Sequence, residues 1–171
     1  WWRVAVVVGQ TEPCPVNRMT GPDVPFEQRV GWVGRCAPHL KIKLIDEAGR
    51  VVAIGEKGGL CCRGYAVMRG YWQDDQRTLE TIDQAGWLHS GDLATMDAQG
   101  YVEIVGRLKD IIIRGGENVY PREVEEFLYT HPSIQDVQVF GIPDSKYGEE
   151  ICAWIQVKEV LSLEAAAVAL Y

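Results

Sequence analysis

The sequence lacks a long apolar run: no stretch approaches the roughly 20 apolar residues that a helix needs to cross a bilayer. It is also poor in basic residues, with 17 lysines and arginines against 24 aspartates and glutamates and a formal net charge of -7. Nonspecific nucleic-acid binding needs a basic face, so this balance argues against a nucleic-acid partner. The opening residues, WWRVAVVVGQTE, contain one basic residue and no small-residue cleavage site, which argues against a signal peptide.

The five cysteines have neither the spacing of metal ligands nor that of a disulfide framework. Cys61 and Cys62 are adjacent in a predicted strand, so their side chains should point to opposite faces. An odd count without a framework favours reduced, mostly buried thiols in a cytosol-like compartment over a disulfide-stapled secreted domain. The other three are Cys14, Cys36 and Cys152.

Short strands separated by glycine-containing turns are predicted between residues 30 and 106. The predicted strands are 41–45, 51–54, 58–63 and 67–72, and LATMDAQGYVEIVG adds a hairpin that turns at 97–100. The window DDQRTLETI favours a brief helix. Strands of this length and spacing predict a small antiparallel sheet or barrel.

After the hairpin, strands and helices alternate, so we expect a second region that begins near Lys109. A helix should start at Pro121, and Ser162 should cap a final helix. The residues expected on the buried face of the first helix are Val124, Phe127 and Leu128. The predicted strands of this region are 111–113, 136–140 and 151–157. The whole pattern predicts an α+β fold, and 171 residues suffice for two small domains.

The tetrapeptide GQTE at residues 9–12 follows a short apolar strand at 4–8, whose end should present polar groups. In open parallel sheets, ligands bind at the carboxyl ends of the strands. Thr11 and Glu12 can hold a phosphate oxygen and a magnesium ion there, since Mg²⁺ prefers carboxylate and phosphate oxygens together with water. A turn with a surface glutamate is the alternative interpretation of so short a motif.

The segment GWLHSGDLA at 86–94 places Asp92 behind a Ser-Gly turn. A carboxylate there can accept both hydroxyls of a ribose, and it can equally cap a turn or a helix. His89 could act as a catalytic base, but a lone histidine in a loop is more often structural or exposed, and we expect that role.

The segment VGRLKDIIIRGGENVYP at 105–121 combines charges, a short apolar strand and a glycine pair. Arg107 can approach a ribose or a phosphate, and Lys109 lies where rotation of a few backbone dihedrals can move a whole domain. Gly115 and Gly116 would let the backbone approach a ligand closely. An ordinary strand, turn and helix with solvated charges is the alternative interpretation.

Taken together, these segments resemble the adenylate-forming superfamily, which includes acyl-CoA synthetases and the adenylation domains of peptide synthetases. The matching blocks, in order, are GQTE, GWVGR, GGLCCRG, VMRGYW, GWLHSGD, VGRLKD, GGENVYPREVEEFL and GIPDSKYGEE. They cover nearly the whole chain, and so many blocks in one order do not arise by chance. The sequence is most similar to the medium-chain fatty acyl-CoA synthetase branch.

The resemblance implies roles at the nucleotide. Thr11 and Glu12 match a Thr-Glu pair that contacts the nucleotide phosphate and magnesium, and Gly9 and Gln10 match a turn that lines the adenine and acyl pocket. Asp92 matches the residue that binds both ribose hydroxyls. The residue that joins it at the ribose is Arg107.

The resemblance also implies a hinge at Lys109, about which a lid rotates between adenylation and thioester formation. The residues that match the path of coenzyme A are Gly115, Gly116 and Tyr147. The implied architecture is an antiparallel β-barrel-like subdomain followed by a small α+β lid. Its divisions are the end of an N-terminal core domain at 1–29, the β subdomain at 30–108 and a truncated lid at 109–171.

The implied activity is that of a fatty acid–CoA ligase. It uses ATP, magnesium and coenzyme A and acts on small molecules in the cytoplasm, or in the mitochondrial matrix if the parent protein carries an upstream transit peptide. The chain departs from the family in lacking a Gly/Ser/Thr-rich phosphate loop and the C-terminal adenylation lysine, and in having Val8 where relatives have an aromatic residue. We therefore expect an internal fragment that is inactive alone. The alternatives are a noncatalytic remnant or binding module, and a fragment of an amino-acid-adenylating peptide synthetase domain.

Overall fold

The computed structural model describes residues 7–13, 18–21, 24–25 and 31–158. The chain divides into two compact units, Trp1–Leu108 and Lys109–Tyr171. Cys14, residues 4–6 of the predicted first strand, and the helix expected after Ser162 lie outside the described residues. None of the helices in the described part has the length and apolar character needed to cross a membrane.

A small antiparallel sheet of the first unit contains three two-residue strands. They are β1 (Val7–Val8), β2 (Arg18–Met19) and β3 (Arg35–Cys36), in that order. Arg18 at its centre pairs in register with Val8 on one side and Cys36 on the other. Strand β1 of this sheet ends at Val8, directly before the GQTE segment at 9–12.

The larger sheet of the first unit is an antiparallel meander of four strands. These are β4 (Lys41–Ile45), β5 (Gly58–Arg63), β6 (Leu88–Met96) and β7 (Val102–Arg107), paired in sequence order. Gly58 allows β4 and β5 to approach, because a Cβ there would lie 3.0 Å from the backbone N and O of Ile45. The core of this sheet consists of Leu44, Leu60, Ala94 and Val102.

The predicted antiparallel sheet is thus confirmed, although the four strands form an open sheet and not a closed barrel in the described residues. The predicted strand at 51–54 is wrong: Val51 makes only one isolated bridge, to Ile45, before the chain turns again at 53–56. The expected brief helix is present as α1 (Asp75–Thr81), where the side chain of Asp74 accepts a hydrogen bond from the Arg77 backbone N–H.

The predicted strand at 67–72 is also wrong. Its backbone groups bond within local turns, to the GQTE segment and to α1, and not along a neighbouring strand. The N–H of Met68 donates to the carbonyl oxygen of Glu12 at 2.8 Å, and the N–H of Tyr71 donates to Oγ1 of Thr78 at 2.9 Å. These tertiary bonds override the local strand preference of the apolar residues.

The second unit is an antiparallel sheet with one described helix packed on it. A 3₁₀ turn (Leu108–Asp110) leads into β8 (Ile112–Arg114), β9 (Glu117–Val119), α2 (Pro121–Tyr129), β10 (Ile134–Asp144) and β11 (Gly148–Val157). The strands lie in the order β10-β11-β8-β9. The buried residues of its core are Ile112, Ile134, Val137 and Val139.

Helix α2 contacts this core with only two of its three predicted apolar residues. Val124 and Leu128 pack against the core, whereas 74% of Phe127 is exposed, so its predicted burial is wrong. Since a helix turns by about 100° per residue, Phe127 points about 80° away from the line midway between the other two. The Glu125 carboxylate anchors the helix further, because it accepts a hydrogen bond from the Val139 N–H at 2.8 Å.

Candidate nucleotide-binding site

A buried carboxylate lies at the centre of the first unit's candidate site. Asp92 on β6 is 5% exposed, and its register partner on β7 is Arg107. Arg107 Nε lies 2.9 Å from Asp92 Oδ1, and Gln10 Nε2 donates to Asp92 Oδ2 at 2.7 Å. The carboxylate is therefore held from two sides by donors that lie far apart in the chain.

The segment around Asp92, read from the sequence as a turn, is a strand with local irregularity. Gly91 has a φ of +76°, and the register between β6 and β7 shifts between Leu93 and Ala94. The Ser90 hydroxyl oxygen accepts a hydrogen bond from the Asp92 N–H at 3.1 Å. Such bulges redirect side chains in a strand, which brings Asp92 opposite Arg107.

Arg18 is a further charged residue that interacts with Asp92, and no sequence motif predicts it. Arg18 is buried, with 1% of its surface exposed. Burial lowers the pKa of the Arg18 guanidinium, while the Cys62 thiol and the Asp92 carboxylate act in the opposite direction. Asp92 thus interacts electrostatically with two arginines, the buried Arg18 and the half-exposed Arg107. No motif surrounds Arg18 in the sequence, so its interaction with Asp92 could not be predicted from it.

Glu12 is held by the segment that precedes α1. The Tyr71 hydroxyl donates to Glu12 Oε1 at 2.9 Å, and the Arg77 guanidinium lies 4.4 Å from the centroid of the Tyr71 ring. Tyr71 and Arg77 were not predicted as site residues. Their placement depends on a contact between positions 59 residues apart, which no local pattern reveals.

A cavity of about 450 Å³ connects these groups within the first unit. Its lining brings together Gln10, Thr11, Glu12 and Arg107 with the newly identified Tyr71 and Arg77. Gly9 is exposed and directly follows β1. Four of the expected nucleotide residues therefore line one cavity, whereas Asp92 is not among its lining residues and contacts two of them, Gln10 and Arg107. The individual roles of all these residues remain predictions.

His89 also lines this cavity, and its ring contacts two residues that do not. Its Nδ1 lies 3.6 Å from Cys61 Sγ, and its Nε2 lies 3.5 Å from Asp83 Oδ2. Burial raises the pKa of the Cys61 thiol to about 11, which makes it a poor nucleophile at neutral pH. These contacts favour the structural role expected for His89.

The second unit brings the residues expected along the coenzyme A path together from two turns, one between β8 and β9 and the other between β10 and β11. The Gly115 N–H donates to the Tyr147 carbonyl oxygen at 2.8 Å. Gly115 and Gly116 have φ values of +61° and +89°, which favour glycine at both positions. The Arg114 guanidinium lies 4.3 Å from the Tyr147 ring centroid. Lys109 is exposed in the 3₁₀ turn (Leu108–Asp110).

Within the described ranges, no group of three or more His, Cys, Asp or Glu side chains could hold a metal ion. Glu12 is a single carboxylate facing the cavity, a donor set that fits Mg²⁺ bound largely through substrate phosphates and water. It does not fit a site in which protein side chains alone surround the metal.

Comparison with known families gives two matches along the chain. A model described as AMP-binding enzyme matches residues 2–72, and one described as AMP-binding enzyme C-terminal domain matches residues 123–169. The two matches follow the order of the two units.

Individual proteins show the same similarity. The chain is 50% identical over 157 residues to YngI of Bacillus subtilis (strain 168), which carries the name of an acyl-CoA synthetase, covering 91% of this chain and 29% of YngI. It is 49% identical over 156 residues to the rat medium-chain acyl-CoA ligase ACSF2, mitochondrial, covering 91% of this chain and 25% of that protein. ATP-bound MatB from Rhodopseudomonas palustris superimposes with a TM-score of 0.86 at 32% identity, covering 94% of this chain and 31% of MatB. The chain thus spans less than a third of each.

Proposed function

Because the chain belongs to the adenylate-forming superfamily of AMP-binding enzymes, we propose that it supplies a nucleotide-binding wall and the lid of a fatty acyl-CoA synthetase. In this reaction a fatty acid carboxylate oxygen attacks the α-phosphate of ATP, pyrophosphate leaves, and an acyl-adenylate forms. The thiolate of coenzyme A then attacks the acyl carbon and displaces AMP. The names of YngI and ACSF2 support this acid–thiol ligase class.

The observation that carries the proposal is the two-sided hold on Asp92. Arg107 contacts Oδ1 of Asp92, and Gln10 donates to Oδ2. A carboxylate oxygen has two lone pairs, so both oxygens keep capacity for a ribose hydroxyl. The fixed orientation lowers the entropic cost of binding, because the carboxylate need not be ordered by the ligand.

The phosphate end of the nucleotide belongs near Thr11 and Glu12 in this proposal. The residue that bonds Asp92, Gln10, lies two positions before Glu12, a distance of about 7 Å along an extended chain. When bound, magnesium would supply positive charge to the phosphates, with Glu12 as its protein ligand. Thr11 is exposed to the cavity and can donate its hydroxyl to a phosphate oxygen.

The second unit is proposed as the lid. Lys109 would be the hinge, and Gly115, Gly116 and Tyr147 would border the coenzyme A path. Support comes from the glycine turn, which presents backbone without side chains beside the Tyr147 ring. We place the protein in the cytoplasm or in the mitochondrial matrix, and we expect the 171 residues alone to bind adenylate without forming acyl-adenylate.

Binding of AMP to the 171-residue chain tests the proposal. Asp92→Asn should weaken AMP binding about 10- to 100-fold in calorimetric titration, since hydrogen bonds to a charged group are lost. Asp75→Asn, an exposed change on α1 outside the cavity, should have no effect.

Nucleotides without ribose hydroxyls sharpen this test. Wild type should lose affinity when 2′-deoxy-AMP replaces AMP, and Asp92→Asn should lose much less, because the charged acceptor of that hydroxyl is already gone and a neutral amide oxygen is a weaker one. No detectable AMP binding by the wild type, or an equal loss in both proteins, would contradict the proposal.

A further inference from the structure

We propose that Arg77 binds the β- and γ-phosphates of ATP, and hence the pyrophosphate that leaves during adenylation. This inference rests on the proposed function of the same cavity and adds a residue to which neither the motifs nor the comparisons assign a role. Its chemistry is that of a guanidinium fork facing phosphate oxygens, the pairing for which arginine is best suited.

Arg77 faces the cavity from a fixed base. Its guanidinium lies 4.4 Å from the Tyr71 ring centroid, and the same Tyr71 donates its hydroxyl to Glu12 Oε1 at 2.9 Å. Thr78 links this ring to the helix, because its Oγ1 accepts from the Tyr71 N–H and donates to the Asp74 carbonyl oxygen. Glu12, the Tyr71 ring and the Arg77 side chain therefore form one connected set.

The charge balance of the cavity singles out Arg77. Two arginines line it, and Arg107 is already paired with Asp92 at 2.9 Å. Within the described part of the chain, no carboxylate lies within 4.0 Å of the Arg77 guanidinium to form an ion pair with it. The Arg77 donors are therefore free to meet an anion without first breaking a salt bridge, which removes a cost of binding.

The order of groups along the cavity places this anion. Gln10, which bonds the proposed ribose ligand Asp92, lines the cavity two residues before Glu12. Glu12 accepts the hydrogen bond of Tyr71, whose ring lies against the Arg77 guanidinium, so the contacts run from Asp92 through Glu12 to Arg77. A nucleotide whose ribose lies at Asp92 and whose α-phosphate lies near Glu12 extends its remaining phosphates toward Arg77. Arg77 should therefore distinguish ATP and pyrophosphate from AMP.

The competing interpretation is that Arg77 only covers the Tyr71 ring. Arg63 offers a matched control: its guanidinium lies 4.8 Å from the Trp87 ring centroid in the same unit, and it does not line the cavity. If Arg77 only stacked on the Tyr71 ring, removing Arg77 or Arg63 would have the same consequence for nucleotide binding.

Calorimetric titration of the 171-residue chain with ATP, AMP and pyrophosphate tests the inference. Arg77→Gln should weaken ATP and pyrophosphate binding about tenfold, as expected for a charge-assisted hydrogen bond at an exposed cavity wall, and should change AMP binding less than twofold. Arg77→Lys should retain part of the ATP affinity, and the difference should shrink in high salt. Arg63→Gln should match the wild type with all three.

The outcomes separate the inference from the function on which it rests. Wild-type binding of AMP and ATP, with Arg77→Gln weakening both equally or neither, would overturn the role of Arg77 and leave the nucleotide site standing. An equal effect of Arg63→Gln would overturn it as well. Failure of the wild type to bind AMP or ATP would overturn the nucleotide site and the inference together.

Discussion

In the first unit the central charged residue, Asp92, lies in a strand, is 5% exposed and is bonded from two sides. In the second unit the corresponding strong pair, Arg114 with Glu150, joins the two central strands β8 and β11 and is accessible, with 38% and 37% of the two side chains exposed. Its bidentate geometry is good, with contacts of 2.6 and 3.0 Å. Geometry alone therefore does not distinguish the two pairs, and burial does.

The comparison indicates different tasks for the two units. A buried, pre-oriented carboxylate suits tight recognition of a fixed group such as a ribose, because water does not compete for it. An exposed pair beside a glycine turn suits a surface that meets and releases a ligand, since exposed ion pairs contribute little to stability and are screened by salt.

Restricting the proposed hinge between the units should have the largest effect. Proline at position 109 fixes φ near -65°, a value compatible with the 3₁₀ turn observed at Leu108–Asp110. In a longer relative that carries out the full reaction, Lys109→Pro should leave acyl-adenylate formation largely intact and slow transfer to coenzyme A by on the order of 100-fold. Single-turnover measurement of each half-reaction separates the two effects.

The control for this substitution is Lys109→Ala, which removes the charge and keeps the backbone free. It should leave both half-reactions near their wild-type rates. Equal losses in the two half-reactions for the proline variant would show that Lys109 is only a structural residue of the turn.

Much of the secondary structure could be predicted because local signals agreed with the tertiary contacts. The window DDQRTLETI forms a helix, and Asp74, the residue that caps it, belongs to the same window. The hairpin across 97–100 has a turn whose backbone N–H groups donate to the Asp97 side chain. The segment 67–72 was mispredicted because Met68 bonds to Glu12, far outside any local window, and because the Thr78 side chain takes the Tyr71 N–H that a strand would use.

The candidate site shows the same limit. The motif positions of Asp92 and Arg107 were identified from the resemblance, but their pairing depends on the register shift at Leu93, which spacing does not encode. Tyr71 and Arg77 could not be identified because neither belongs to a pattern of charges or periodicity. Tyr71 reaches Glu12 through a long-range hydrogen bond, and Arg77 is placed by its contact with the Tyr71 ring.

Removing each central carboxylate should reveal the difference in burial. Asp92→Ala should lower the local stability of β6 and β7 by about 2 kcal/mol, because it leaves the Arg107 and Gln10 donors without their carboxylate acceptor. Glu150→Ala should leave the protection of β8 and β11 nearly unchanged. Amide hydrogen exchange measures both units in one experiment. Similar losses in the two units would contradict the importance of burial.

The smallest expected effect is the pH dependence of the exposed pair. The side-chain hydrogen bonds from Arg114 hold the pKa of Glu150 below its usual value. A lowered pKa in the folded state means that the pair stabilises the second unit above the unfolded-state pKa, about 4.3 for glutamate, and that this stabilisation disappears as the pH falls through the folded-state pKa. Glu150→Gln should therefore be slightly less stable than the wild type at pH 7 and equal to it in strong acid.

Urea unfolding of the wild type and of Glu150→Gln at each pH, repeated in 1 M salt, measures this difference in stability. Screening by salt should also remove the difference. A stability difference that persists in acid and in salt would mean that Glu150 acts through packing and not through its charge.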